Sequence, residues 1–550
     1  MNNFCEECGN KLTPYDLFCE QCGAKIQPSN PTEEAQPAAA VFDNESDFTY
    51  TFFENRNSKA QPKPDTYYGI ILTNFKKIAA TAGEAAGNAL KKNLQQYITE
   101  LKKRGICYLV LDASNNQFKN LSEPNWKRHV NLLRKASNKI SKQLGADTRF
   151  LLILGGHEII PMPVFENPTA AKSRDKDVDT DLPYSTLSVG NLLEDATARE
   201  PLLPVGRIPT GNKVDVNHIA NVLANTLQAI PKMRTDKTFG LSANCWQAVS
   251  SEINSRVAND QLYISPGLTI ENLSQYYSPD AQLHYFNLHG SDKSAAWFGQ
   301  KGDAYPVAFS PQAIIQNRQY NIVGVEACYG ARFIGLDTNE SILLSALAGK
   351  TVSFVGSSRI AWGPSAPPMN LADVVIHDFL ARIQQGQTAG EALLQARING
   401  FNNSVERDPA TSLLTLMEFN LFGDPVFFLG SEQAHKTPKT TKSLQGEHYE
   451  ELQESEMAGS KANNSQSDSM YDVVKNAVDE AQRKIIDLIN QNVWEKYPEF
   501  KNIEPAFKKY SFEGKSYNNL TYKKEQEEFD KYVSVSTDAQ GNVLAEFESK

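Results

Sequence analysis

His289 and Cys328 each close a short apolar run, in YFNLHGS and IVGVEACYG, and a glycine follows each within two residues. A thiol becomes a useful nucleophile when a base or positive charge favours the thiolate, and an imidazole close in space supplies that. The two residues therefore read as a cysteine–histidine dyad. Alone, a free cysteine is most often a small buried hydrophobe and a histidine a packed turn residue. Two such residues in matching settings favour chemistry over packing.

Four more cysteines form a second constellation. Cys5, Cys8, Cys19 and Cys22 make CEECG and CEQCG, two Cys-x-x-Cys-Gly knuckles whose thiolates suit one tetrahedral structural zinc. A module this small has little apolar core, so the metal would supply its folding free energy. Two disulfides are the alternative in a secreted chain. The opening MNNFCEECGNK lacks the basic flank and apolar core of a secretory signal, which makes the expected location cytoplasmic and the thiols reduced. Lys11 and Lys25 stand against Glu6, Glu7, Asp16 and Glu20, a balance suited to protein contact or a structural role. Cys107 and Cys245 lie in strand-like runs and read as core.

The dyad needs elements that bring it together. Residues 283–288 and 321–327 read as buried strands of a parallel sheet, and in open α/β sheets sites form beyond the carboxyl ends of such strands. GICYLVLDA and RFLLILGG flank an amphipathic helix over 124–144, and TFGLSANC and TVSFVGSS supply further strands. Helical stretches fall around 213–230, 339–349 and 370–400. This alternation predicts an α/β domain over residues 66–430, a mainly parallel sheet sandwiched by helices, with a division into two subdomains expected near 230. The zinc ribbon (1–26) and a Pro-, Ala- and acid-rich flexible linker (27–65) precede it. Residues 431–469 lack apolar periodicity and read as a disordered linker. Residues 470–550 read as a small α+β domain: Val474, Ala477, Val478, Ala481, Ile485, Leu488 and Ile489 share one helical face, and a meander follows whose last hairpin turns near Gly541.

Composition narrows the function classes. The 550 residues exceed what one core organises. A net charge of −10, with no basic stripe interleaved with aromatics, argues against nucleic acid as a partner. No run approaches the roughly 20 apolar residues of a membrane span.

Taken in order, several motifs resemble the gingipains, cysteine peptidases of the caspase-like clan. LHGSDKSAAWFG looks like that family's histidine turn and VEACYGARF its nucleophile strand. TDLPYSTLSVG with LLPVGRIPT resembles the segment carrying the specificity carboxylate, SSRIAWGPSAPPMN the lid of the specificity pocket, and NLFGDPVFF the closing strand. The resemblance covers about residues 105–430. It implies a caspase-like fold in which Cys328 attacks the scissile carbonyl, His289 protonates the leaving amine, and the N–H groups of Gly290 and Cys328 bind the oxyanion. It also implies Asp181 at the base of a pocket selecting Arg or Lys, with Trp362 and Met369 lining it.

The expectation is thus a cysteine endopeptidase acting on protein or peptide substrates, with no cofactor for catalysis. The ribbon or the C-terminal domain would bind a regulatory protein. Arg207 reads as an internal ion-pair residue, His157 as a packed turn histidine, and Glu326 as a structural or substrate-rim carboxylate. Self-cleavage at Lys436, Lys439, Lys442 or Lys461 would release the appendage. The rival reading is a non-proteolytic scaffold that keeps the fold and binds partners.

Overall fold

In the computed structural model the apolar runs assemble into one ten-stranded sheet flanked by helices. The structure describes residues 67–114, 126–170, 173–190, 192, 195–230, 233–429 and 480–550. The expected zinc ribbon with its four cysteines, the two expected linkers and the four linker lysines lie outside these residues.

In chain order the sheet takes β1 (Tyr67–Thr73), β2 (Ile106–Asp112), β3 (Thr148–Leu154), β4 (Val205–Ile208), β5 (Thr238–Ala243), β6 (Leu262–Ser265), β7 (Leu283–Asn287), β8 (Asn321–Val325) and β9 (Thr351–Ser357). A two-residue strand, β10 (Trp362–Gly363), stands outside this sheet, and β11 (Phe419–Gly423) completes it. The spatial order is β2-β1-β3-β4-β11-β9-β8-β7-β5-β6. Pairing is parallel everywhere except between β9 and β11, which run antiparallel from Ser353↔Gly423 to Ser357↔Phe419. Two parallel five-stranded halves therefore meet back to back. The carboxyl ends of β7, β8 and β9 share one edge, and the chain reverses beyond them.

The strands are mostly apolar because both faces are covered: every residue of β7 and β8 is buried, His284, Asn287 and Asn321 included. The expected helix over 124–144 is Trp126–Leu144. The stretch around 370–400 is two helices, Ala372–Gln384 and Ala389–Ser404. Gly386, at φ 86°, takes the left-handed turn that ends the first, and the Thr388 hydroxyl accepts from Glu391 N–H to cap the second.

The C-terminal part is a helix, Glu480–Lys496, packed on a meander of β12 (Ala506–Phe512), β13 (Lys515–Lys524), β14 (Lys531–Asp538) and β15 (Val543–Ser549). Ile486, Ile489 and Val493 meet Leu520, Tyr522, Val533 and Val535 in one apolar cluster. Leu488, expected on that face, is instead 52% exposed, because the buried stripe runs through Ile486, Ile489 and Val493. The last hairpin turns at Gly541, φ 91°.

The meander does not end with its own strands. β10 pairs with β15, giving the order β10-β15-β14-β13-β12. Further bonds fasten the two parts: Asn519 Oδ1 accepts from Ala170 N–H at 2.8 Å, Tyr532 Oη donates to Asp175 at 2.6 Å, and Lys508 pairs with Glu166 at 3.0 Å. Among the described residues no helix is long and apolar enough to cross a membrane, and no group of three His, Cys, Asp or Glu is placed to hold a metal.

Candidate active site

β7 and β8 are neighbours in register, Ile322↔Leu283 to Val325↔Phe286, so the residues beyond their carboxyl ends meet. His289 is fixed by backbone exchange with Phe298, N–H to O at 2.9 Å and 2.8 Å. Gly290 lies so close to the nucleophile segment that a Cβ there would stand 1.7 Å from Cys328 O. Tyr329 takes φ 53°, turning the chain off the strand directly after Cys328, and its N–H donates to Arg359 O at 2.7 Å. Gly290→Ala must push the histidine turn away from Cys328. It is expected to lower turnover by about tenfold or more and to lower stability by about 1–3 kcal/mol, measured by steady-state hydrolysis beside thermal unfolding.

The His289 imidazole contacts Gln300 Oε1 through Nε2 at 2.7 Å. The Gln300 amide donates to Gly302 O at 3.0 Å and to Tyr305 Oη at 3.1 Å, which turns its oxygen toward the histidine. The proton is thereby assigned to Nε2, leaving Nδ1 as the basic atom. Burial pushes His289 down to about 3. Burial, then the nearby Glu418 charge, pushes the Cys328 thiol well above its usual range, and its Sγ lies 3.7 Å from Ala361 O. Both shifts favour the neutral thiol and the neutral imidazole over the charged pair.

The C-terminal part covers both residues. Phe529 stacks on the His289 ring, centroids 4.7 Å apart and planes 16° from parallel, and Trp246 packs at 4.4 Å. Around Phe529, Ser291 Oγ donates to Glu528 O at 2.5 Å, and Lys293 Nζ reaches Gln526 O at 2.8 Å and Asp530 at 2.6 Å.

On the other side β15 runs antiparallel to β10, with Gly363↔Glu548 and Trp362↔Ser549. Lys550 N–H then donates to Ala361 O at 2.9 Å, and Lys550 O accepts from Cys328 N–H at 2.9 Å. The Lys550 side chain runs past Gly363, where a Cβ would lie 2.3 Å from its Cε. It ends between Asp373 Oδ1 at 2.6 Å and Glu326 Oε2 at 3.1 Å, with Nζ 5.2 Å from the Trp246 ring centre. All three charged side chains are fully buried. Burial pushes the Glu326 carboxyl up against the pull of Lys550, while Asp373 and Glu326 overcome burial and hold the Lys550 ammonium charged.

Asp181 stands elsewhere. Its carboxylate takes Arg207 Nε at 2.8 Å and Nη2 at 2.6 Å, both residues buried, so the expected pocket carboxylate is spent on an internal ion pair. The turn toward Arg207 is stabilised by Asp181 N–H, which donates to Asn420 Oδ1 at 3.0 Å. Arg207 is thus an internal ion-pair residue, as its setting in VGRIP indicated. Trp362 is buried and lends its backbone to the β10–β15 pairing, its ring edge-on to Tyr532 at 6.3 Å; Met369 is half-buried. His157 accepts from Met162 N–H at 3.3 Å in a turn. Cys245 falls in the turn Asn244–Trp246 after β5 rather than in the strand, and is half-buried. Sequence reasoning missed Gln300, Asp373, Phe529 and Lys550. Asp373 carries a faint signal, an acid at the start of the apolar helix ADVVIHDFL; the other three carry none, Gln300 being an isolated polar residue 11 positions from His289 and the partners of Phe529 and Lys550 being distant in the chain.

The chain is similar to known peptidases. Residues 85–429 match the model of peptidase family C25. Among solved structures, the Arg-specific cysteine proteinase gingipain R is 16% identical at a TM-score of 0.45, over 67% of this chain and 80% of that one. The complex of the Porphyromonas gingivalis RgpB pro- and mature domains gives 16% identity and a TM-score of 0.46, over 66% and 79%. The Saccharomyces cerevisiae separase–securin complex gives 10% and 0.31, over 58% and 18%. No curated protein matches the sequence. The family match spans more than half of the chain, which belongs to peptidase family C25 and is a cysteine endopeptidase.

Proposed function

We propose that His289 and Cys328 carry the hydrolysis, that the bond cut follows a basic residue, and that the C-terminal domain holds the enzyme latent. Nδ1 of His289 takes the thiol proton, and Cys328 Sγ attacks the scissile carbonyl carbon. The carbonyl oxygen gathers charge on the Cys328 N–H, with Gly290 N–H as the second expected donor; such a donor is worth about 3–4 kcal/mol. The histidine returns its proton to the leaving amine as the C–N bond breaks. Water then attacks the thioester, giving its proton to the imidazole; the C–S bond breaks to release the acid, and the imidazolium returns the proton to the Cys328 sulfur. The observation that carries the reading is the meeting of His289–Gly290 and Cys328 at the ends of two paired strands.

Two buried carboxylates, Glu326 and Asp373, support a basic preference. A cleft of about 230 Å³, lined by Ser291, Lys293, Tyr329, Arg332 and Glu340, opens along the residues that follow Gly290 and Cys328, where the leaving segment would lie. Latency is supported by the Phe529 cap and by the depressed basicity of His289 beneath it.

The test is a fluorogenic peptide panel with Lys, Arg, Asp or Leu before the reporter, run on the full chain, on Phe529→Ala, and on each with Cys328→Ala. Lys or Arg peptides should be hydrolysed, and only with Cys328 present. Turnover of the Asp peptide alone would sink the basic preference. No turnover, with Cys328 inert to iodoacetamide, would favour the scaffold reading.

A further inference from the structure

We infer that the pocket holding the Lys550 side chain is the primary specificity pocket, that Glu326 and Asp373 make it select lysine over arginine, and that Val543–Lys550 lies in the cleft as a resident substrate strand. The inference rests on the peptidase reading and names the chemistry of its substrate.

Main-chain geometry sets the position. A peptide added to a free strand edge is held by backbone bonds that any sequence can make, and its side chains fall into pockets that give specificity. β15 is held on β10 in this way, by the Ser549 and Glu548 pairing and by Lys550 N–H on Ala361 O. The oxygen on Cys328 N–H belongs to Lys550. Lys550 therefore stands where a substrate's residue before the scissile bond would stand.

The destination of its side chain then defines the pocket. Gly363 leaves the wall open where the Lys550 chain passes, the Trp246 face lies beside the ammonium, and two carboxyls close the end. The carboxyls are themselves fixed. Tyr285 Oη donates to Glu326 Oε1 at 2.8 Å, and Asn370 N–H reaches Asp373 Oδ2 at 3.3 Å in the first turn of the helix Ala372–Gln384. One oxygen from each remains for the ligand, and the two converge on a point rather than a plane.

That arrangement suits a compact ammonium. A guanidinium wants two parallel bonds to one carboxylate and more width, and here each carboxylate offers a single oxygen from a different element. An uncharged side chain would leave the buried Asp373 and Glu326 carboxyls without a cation to offset their burial. Lysine fits by charge, length and shape together.

The experiment uses the full chain carrying Lys550→Glu, whose side chain is repelled by the pocket. Lys550→Glu should raise both hydrolysis of lysyl peptides and alkylation of Cys328 by iodoacetamide at least tenfold over the parent. Lysyl peptides should exceed arginyl ones at least tenfold in kcat/KM. Adding Asp373→Asn, or separately Glu326→Gln, should reduce the lysyl preference at least tenfold, while iodoacetamide alkylation stays at the level of Lys550→Glu. Two pocket variants are used so that a folding defect in one, read by its melting temperature, leaves the other to decide. A lysyl preference unchanged in the pocket variants would overturn the assignment, as would a preference for arginine. Alkylation no faster than in the parent would overturn the resident strand. Fast alkylation with no peptide turned over would instead overturn the peptidase reading beneath it.

Discussion

Asp181→Asn is expected to destabilise the protein by about 3–5 kcal/mol and to leave the choice of residue before the scissile bond unchanged. Arg207 is wholly buried and makes four bonds: two to Asp181, and one each to Gly155 O at 3.0 Å and Ile160 O at 2.9 Å. These tie β4 to the turn after β3. Asparagine matches the shape but offers one acceptor oxygen, and its amide turns an N–H toward the guanidinium. The cationic charge then lies buried without a counter-charge, the costly way to break such a pair. Paired replacement, Asp181→Leu with Arg207→Met, should recover part of the loss because no charge remains. Urea unfolding gives the stabilities and the peptide panel gives the selectivity. A lost basic preference with stability intact would return Asp181 to the substrate pocket.

Phe529→Ala should raise hydrolysis by the full chain on the order of a hundredfold. Truncating a buried phenylalanine costs about 3–5 kcal/mol, and the share borne by docking the loop on His289 shifts the closed–open balance by one decade per 1.4 kcal/mol. Opening also rehydrates the imidazole. Its basicity, at about 3 under the cap, would return toward the ordinary value near 6.5. The sign for pH follows. The open form binds a proton more tightly than the closed one, so closure is strongest above about pH 6.5 and weakens by up to about tenfold per unit as pH falls toward the capped value. Asp530 acts in the same direction: burial opposes it, but hydrogen bonds from Lys293 and Lys523 hold it below the usual carboxylate range. Amide exchange over Gln526–Asp530, corrected for its intrinsic pH dependence, should be faster at pH 5 than at pH 7. Neither hydrolysis nor Cys328 alkylation rising in Phe529→Ala would remove the cap from the account of latency.

The parts legible in the sequence were those with local causes. Cys328 and His289 stood out because each ended an apolar β run, and the parallel sheet because strands and amphipathic helices alternate. The antiparallel seam at β11 was not legible, since FNLFG carries no mark of its direction, which its partners β4 and β9 decide. Asp181 shows the limit of a motif. Its place before a helical turn was visible, but the way its carboxylate turns depends on Arg207, and the same sequence marked Arg207 as an ion-pair residue without naming its partner. Glu326 resisted assignment because strand alternation fails there: β8 ends at Val325, and the next side chain enters the pocket. Lys550 meets Asp373 across 177 positions, a pairing that no local pattern announces.

β10 has only two residues, and β15 already occupies its edge. An incoming peptide and β15 cannot hold that edge together, so the latency proposed above would be a competition rather than a blocked door. A tethered competitor acts at an effective concentration set by its tether rather than by its bulk concentration. Free substrate well below that effective concentration would rarely displace it. Under that proposal the covalent connection between the catalytic and C-terminal parts, as much as the pocket chemistry, would set the threshold at which the enzyme responds, and cutting it would convert a local inhibitor into a dilute one.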